Sequence, residues 1–307
     1  MEVVTLTRPA QVARAQMPAA ERPRGPWRRW RLDPIPIALG ALLIATLVLR
    51  LWGIKQGLPY SYNVDEEYHF VPKAITFFGH GLNPNYFLNP PAYSYVLNIV
   101  FELWFGGRDA VMRVYASNPT EVYVVARVVA SVLGVVAVWL TYMTGKRLFG
   151  RGVGLLAAAI FGLAFLPIFY SHLALNDVPT LAPVALSLYG VAGVLRLGRT
   201  RDYVIAGIGV GLAAATKYTG GITLLCLVVA AVGNAAGSEH RRAGRRLALG
   251  LVVALAAFLV ANPYAVLDFN SFIQGVKQQA SETDAAKLGG SSVGGIDYYL
   301  WTFTWGF

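Results

Sequence analysis

Residues 34–54 read PIPIALGALLIATLVLRLWGI, an apolar run with one charge, Arg50, near its far end. At 1.5 Å per residue the run is long enough to cross a hydrocarbon core of about 30 Å as a single helix. About a dozen residues further on the chain reads Asn63-Val64-Asp65-Glu66-Glu67-Tyr68-His69-Phe70. Three carboxylates just past a membrane helix are poor anchors for it. They are better explained as working groups at a membrane–water boundary, where an unpaired ionised group is costly.

Composition extends the membrane reading to the whole chain. The 307 residues are 56% hydrophobic and 14% charged, with mean hydropathy +0.51. A soluble domain carries roughly 25% charged residues. The net charge of +10 is localised: Arg8, Arg14, Arg22, Arg24, Arg28, Arg29 and Arg31 precede the first run, and Arg241, Arg242, Arg245 and Arg246 lie between two later ones. Basic clusters flanking spans set orientation, so nucleic acid is excluded as a partner. Cys226, alone inside an apolar run, excludes a disulfide framework. Residues 1–33 do not read as a cleavable signal peptide, because the basic region is long and holds Pro23, Pro26 and Trp27. They read as a basic cytosolic arm, with Trp27 and Trp30 at anionic headgroups or serving only to fix topology.

The remaining spans follow by hydropathy. Residues 55–118 form a polar-aromatic outer loop holding a short apolar stretch, Ala92–Phe105, suited to the interface. Spans are expected over about 121–143, 152–170, 178–195 and 246–262. Residues 203–236 have basic flanks on both sides and must leave and return, yet are short for two crossings. A break at Thr216-Lys217-Tyr218-Thr219-Gly220-Gly221 is expected, with Lys217 in the outer half of the bilayer. The expected organisation is an arm over 1–33, a membrane module over 34–262 and an outer tail over 263–307. With the N-terminus cytosolic, both acidic clusters fall on the outer face of the plasma or inner membrane and the basic clusters on the other.

Several side chains could carry chemistry there. Asp65 and Glu66, beside a wet cavity, could act as a general base or help hold a divalent cation; otherwise they are solvated loop acids. Asn176-Asp177 closes the third span. Asp177 can instead be read as a helix N-cap followed by Pro179. Arg50, Arg127 and Lys217 are cations at or within apolar segments; two of them could merely snorkel, but together they suit an anionic ligand such as a lipid phosphate. His69 and His172 have no metal-ligand spacing.

In this order the motifs resemble the GT-C superfamily of polyprenyl-phosphate-dependent glycosyltransferases, in particular the family-39 protein mannosyltransferase and aminoarabinose-transferase-like group. The resemblance covers about residues 34–270. Asp65-Glu66 with Tyr68 is similar to the acidic motif of the first outer loop, and Asn89-Pro90-Pro91-Ala92-Tyr93 to the Pro-Pro segment after it. Ala126-Arg127-Val128 through Gly145–Gly150, Leu175-Asn176-Asp177 and Thr216-Lys217 resemble the later positions. The resemblance implies an all-α polytopic bundle that moves a sugar from a polyprenyl-phosphate donor to a hydroxyl acceptor with inversion, among membrane lipids. It implies Asp65 as base, with Glu66 assisting. Arg50, Arg127 and Lys217 would bind the donor phosphate, and Asn176, Asp177 and Tyr68 the substrates. Members of that group are usually much longer, so the expected correspondence is to their N-terminal portion. The rivals are a transporter or flippase of a phosphorylated lipid or glycan, and a catalytically inactive, truncated paralogue. A transporter should show broken helices at corresponding positions of two halves, and one such break is expected here.

Overall fold

The computed structural model describes residues 33–61, 63–234 and 240–284. The arginines and tryptophans of the arm, and the aromatic end Trp301–Phe307, lie outside the described residues. Among the described residues all regular structure is helical. Helix α1 (Pro34–Leu51) opens with prolines in its first turn, where a missing N–H forfeits no intrahelical bond. It stops before Gly53, whose φ of 75° no helix continues through. The acidic segment then forms one π-helical turn, Glu66–Phe70, running into α2 (Val71–His80).

The expected interfacial stretch is α3 (Ala92–Phe105), followed by α4 (Arg108–Ser117). With α2 they close a small core over Phe70, Val71, Tyr93, Leu97, Phe101 and Val111, sealed against α5 by Val122 and Ala126. The outer loop is thus a packed helical layer that holds the acidic turn in place. Helix α5 (Thr120–Phe149) carries Glu121 in its first turn and Lys146 and Arg147 in its last, matching its dipole.

The expected span at 152–170 is not one helix. It is a pair, α6 (Arg151–Gly162) and α7 (Phe165–Ser171), bent by 55°. Pro167 explains the break, since its ring conflicts with the carbonyl four residues earlier and it has no N–H to give. Next come α8 (Asp177–Leu197) and α9 (Thr200–Thr216). A 3₁₀ turn, Tyr218–Ile222, falls where the hairpin was expected to break, and α10 (Thr223–Asn234) follows it. Helix α11 (His240–Ala261) leads to α12 (Tyr264–Leu267) and α13 (Phe269–Asp284). Helices α1, α5, α8 and α11 are long and apolar enough to cross a membrane, and the bent α6–α7 pair passes the same test when its two helices are taken together.

Lipid offers no hydrophobic drive between helices, so close approach must come from small residues. A Cβ added at Gly190 or Gly209 would strike the backbone of Ala206 or Ser187 across the α8–α9 contact. One at Gly207 or Gly211 would strike a carbonyl of α11. Large apolar side chains such as Ile44, Leu156, Val229 and Val252 stay exposed on the outside of the bundle, as bilayer contact requires.

The polar contacts sort to two ends. At one, Arg147 pairs with Asp202 at 2.6 Å, Arg246 donates to the Gly198 carbonyl and Arg196 to that of Leu148. At the other, the acidic turn, the 172–177 segment, Lys217 and α12–α13 meet. The tail residues 263–284, expected as polar outer loop, fold back onto the first loop there. Asn83 donates to Asp268, Phe272 packs on Phe87 and Tyr218, and Gly275 lies against the Phe87 backbone. The chain is a multi-pass, all-α membrane protein.

Candidate active site

The two neighbouring carboxylates have opposite surroundings. Glu66 is fully buried and accepts four hydrogen bonds. Oε1 takes Arg127 Nε and the Ala174 N–H, both at 2.7 Å; Oε2 takes Arg127 Nη2 at 2.8 Å and Ser61 Oγ at 2.7 Å. The remaining arm of the guanidinium, Nη1, donates to the carbonyls of Ile54 and Gln56. The donors come from three parts of the chain: Arg127 of α5, Ala174 of the 172–177 segment and Ser61 of the link after α1. This is a paired, saturated buried charge, the arrangement that low dielectric demands.

Asp65 lies on the other side of the same turn, with 57% of its side chain exposed. Its backbone N–H and that of Glu66 both donate to the Asn63 side chain, which fixes the start of the turn. His69 Nε2 is 3.6 Å from Asp65 Oδ1, and the His69 ring stacks on Tyr86 at 4.7 Å. Burial raises the Tyr86 phenol above its ordinary range; the Asn89 hydrogen bond opposes this, and the charges of Asp65 and Glu282 add to it. Tyr68 is exposed beside Asp65.

Lys217 Nζ meets Asp177 Oδ1 at 2.5 Å, with over a third of each side chain exposed. The next residue, Tyr218, donates its hydroxyl to the carbonyl of Phe87, the neighbour of Tyr86. The Lys217–Asp177 pair is therefore joined through one loop to the His69–Tyr86 stack in front of Asp65. A cavity of about 610 Å³ is lined by Leu82, Val96, Leu133, Ala182, Leu212 and Val260 among others. Pro179 and Thr216 also line it, two residues after Asp177 and one before Lys217.

Several sequence expectations change here. The three cations do not converge on one ligand. Arg127 is committed to Glu66 and two carbonyls, and Arg50 is fully buried, donating to the Thr46 and Gly162 carbonyls. Lys217 is the cation that remains accessible. A metal shared by Asp65 and Glu66 is not supported, because both Glu66 oxygens already carry two donors. Among the described residues no three His, Cys, Asp or Glu side chains gather. Asn176 is 2% exposed and donates to the Thr216 carbonyl, bracing α8 to α9 and thereby seating Lys217. Asn176, not Asp177, occupies the N-cap position, and the Asp177 side chain turns to Lys217 instead of the helix. The sequence reading missed Ser61, the Ala174 N–H, Tyr86 and the Tyr218 hydroxyl. The aromatic density around the acidic motif was the available signal for Tyr86; a backbone donor carries none.

Comparisons with known proteins bear on the fold of the chain. Residues 119–264, from the start of α5 to α12, match the family model for dolichyl-phosphate-mannose-protein mannosyltransferase. A solved structure of the S. cerevisiae protein O-mannosyltransferase Pmt1–Pmt2 complex bound to the sugar donor aligns with a TM-score of 0.60. The fold is of the GT-C type. The alignment has 22% identity and covers 79% of this chain but 34% of the yeast chain, so this chain spans about a third of that protein's length. No curated protein matches. Of the candidate residues, Arg127, Asn176, Asp177 and Lys217 lie inside the matched segment and Arg50, Asp65, Glu66 and Tyr68 outside it.

Proposed function

We propose that this GT-C protein transfers a sugar, mannose being the first candidate, from a polyprenyl-phosphate donor to a hydroxyl acceptor at the outer face of the membrane. The observation that carries the reading is the contrast between adjacent carboxylates: Glu66 enclosed and saturated, Asp65 open beside it. A general base needs a free lone pair within reach of the proton it removes, and of the two only Asp65 offers one. The acceptor oxygen attacks the anomeric carbon as Asp65 takes its proton. The bond from that carbon to the phosphate oxygen breaks, and prenyl phosphate leaves with the electron pair. Attack opposite the leaving group inverts the centre.

Lys217 faces the leaving phosphate and stabilises the charge that develops there. Asp177 holds the ammonium in place and releases it toward the stronger anion. The apolar cavity below receives the first isoprene units, so the phosphate sits at the rim and the chain in lipid-like surroundings. Tyr68 lines the acceptor approach. The same Lys217 and cavity fit a lipid-phosphate transporter, but the open carboxylate of Asp65 favours chemistry.

The experiment is incubation of purified protein with dolichyl-phosphate-mannose, undecaprenyl-phosphate sugars and a serine- and threonine-containing peptide. Release of prenyl phosphate that depends on acceptor is expected. Vesicle-to-vesicle movement of intact donor without release would instead establish the transporter.

A further inference from the structure

We infer that Arg50 is a positioning residue: from within α1 it pins the broken span α6–α7, and through that span the Ala174 N–H that holds Glu66. The broken span has a weak point. Helix α6 ends at Gly162, and a helix end leaves carbonyls without partners and a partial negative charge. Pro167 prevents α7 from taking up that slack by continuing the ladder. Arg50 Nη1 donates to the Gly162 carbonyl at 3.1 Å and, within its own helix, to the Thr46 carbonyl at 3.0 Å. A cation thus sits on the orphaned end of α6.

The far end of α7 is tied to the same stretch of α1. His172 Nε2 is 3.3 Å from the Leu49 carbonyl, one residue before Arg50. Ser131 of α5 donates to the Ser171 carbonyl between them. The C-terminal ends of α6 and α7, which flank the whole of α7, are therefore held by residues 50 and 49. Two residues beyond His172 lies Ala174, whose N–H meets Glu66 Oε1 at 2.7 Å. Three further on lies Asp177, the partner of Lys217. A shift of α7 would move both ends of the site together.

The guanidinium itself cannot reach a ligand. It is fully buried and packed against Gly134, where an added Cβ would lie 3.0 Å from Nε. Among the described residues Nε and Nη2 have no partner. A half-satisfied buried cation is a costly feature, and the end of α6 is what offsets it.

The test compares hydrogen exchange in the full chain, in detergent, for wild type, Arg50→Lys and Arg50→Met. Amides of residues 163–176 should exchange about tenfold faster in Arg50→Met and a few-fold faster in Arg50→Lys, with 184–197 unchanged. Unchanged exchange over 163–176 in folded Arg50→Met overturns the inference. If that variant does not fold, unchanged exchange in Arg50→Lys does so, because one ammonium cannot reproduce the guanidinium's contacts. A kinetic arm rests on the proposed transfer reaction: kcat should fall about tenfold with the KM for dolichyl-phosphate-mannose within about twofold, and lysine should recover part of it. A donor KM that rises at unchanged kcat makes Arg50 a phosphate ligand and also overturns the inference. Absence of turnover in wild type sinks the transfer reading and leaves the exchange arm intact.

Discussion

Replacing Glu66 by glutamine should unlock the outer layer of the bundle. The side chain keeps its shape but presents an amide to a cage built of donors: Arg127 Nε and Nη2, Ser61 Oγ and the Ala174 N–H. The amide oxygen can serve one pair of them, and its NH₂ then faces the other. Arg127, buried with its partner, is left without a counter-charge. Breaking a buried pair in this way costs about 3–5 kcal/mol. For a chain of this size that corresponds to a fall in Tm of order 10 °C. The assay is thermal unfolding of purified Glu66→Gln, Arg127→Met and the double variant in one detergent, by circular dichroism. The double variant should be more stable than the sum of the single losses implies, with a coupling energy of about 2 kcal/mol or more. Strict additivity, or a Tm loss under about 2 °C for Glu66→Gln, would refute the claim that this pair is a closed internal lock.

Three further outcomes are expected. Lys217→Met should raise the KM for the donor or lower kcat by about 10–100-fold, the worth of one charge-assisted hydrogen bond, in steady-state assays; equal parameters would remove Lys217 from the phosphate. Gly190→Leu should abolish accumulation of folded protein in membranes, because the new side chain collides with the backbone of Ala206; normal yield and Tm would show that the α8–α9 contact is looser than described. The Asp268 carboxyl is held below the usual carboxylate range by its hydrogen bonds to Asn83 and Ser271. Its contribution to docking α13 is therefore full above the unfolded value, near pH 4, and lost only as pH falls through the lowered one. Hydrogen exchange over 269–284, corrected for intrinsic pH dependence, should stay flat down to about pH 4 and rise below it, and Asn83→Ala should move that rise upward.

The long apolar helices, the short helix over 92–105 and the break at 216–221 were legible because each rests on a local property: run length, charge flanks and Gly–Gly punctuation. The kink in the third span was legible in principle, since Pro167 stands in the middle of it, but hydropathy averages over a proline. The site was half legible. Asp65 and Lys217 are accessible, as their positions after apolar runs suggested. Arg50 and Arg127 were read as ligand cations because a sequence shows a charge in an apolar run and not what it meets. Their partners are distant in the chain: Glu66 is 61 residues from Arg127, and Gly162 is 112 from Arg50. Two of the four bonds on Glu66 come from a backbone N–H and a loop serine, groups that every chain has in abundance.

The central claim is a division of labour between two adjacent acids, and turnover of Asp65→Asn tests it most directly. With dolichyl-phosphate-mannose and an acceptor peptide, this variant should release prenyl phosphate at least about a hundredfold more slowly than wild type, with an unchanged Tm. Wild-type turnover in Asp65→Asn would contradict the account, because no other open carboxylate of the acidic turn stands in the same relation to His69 and Tyr86.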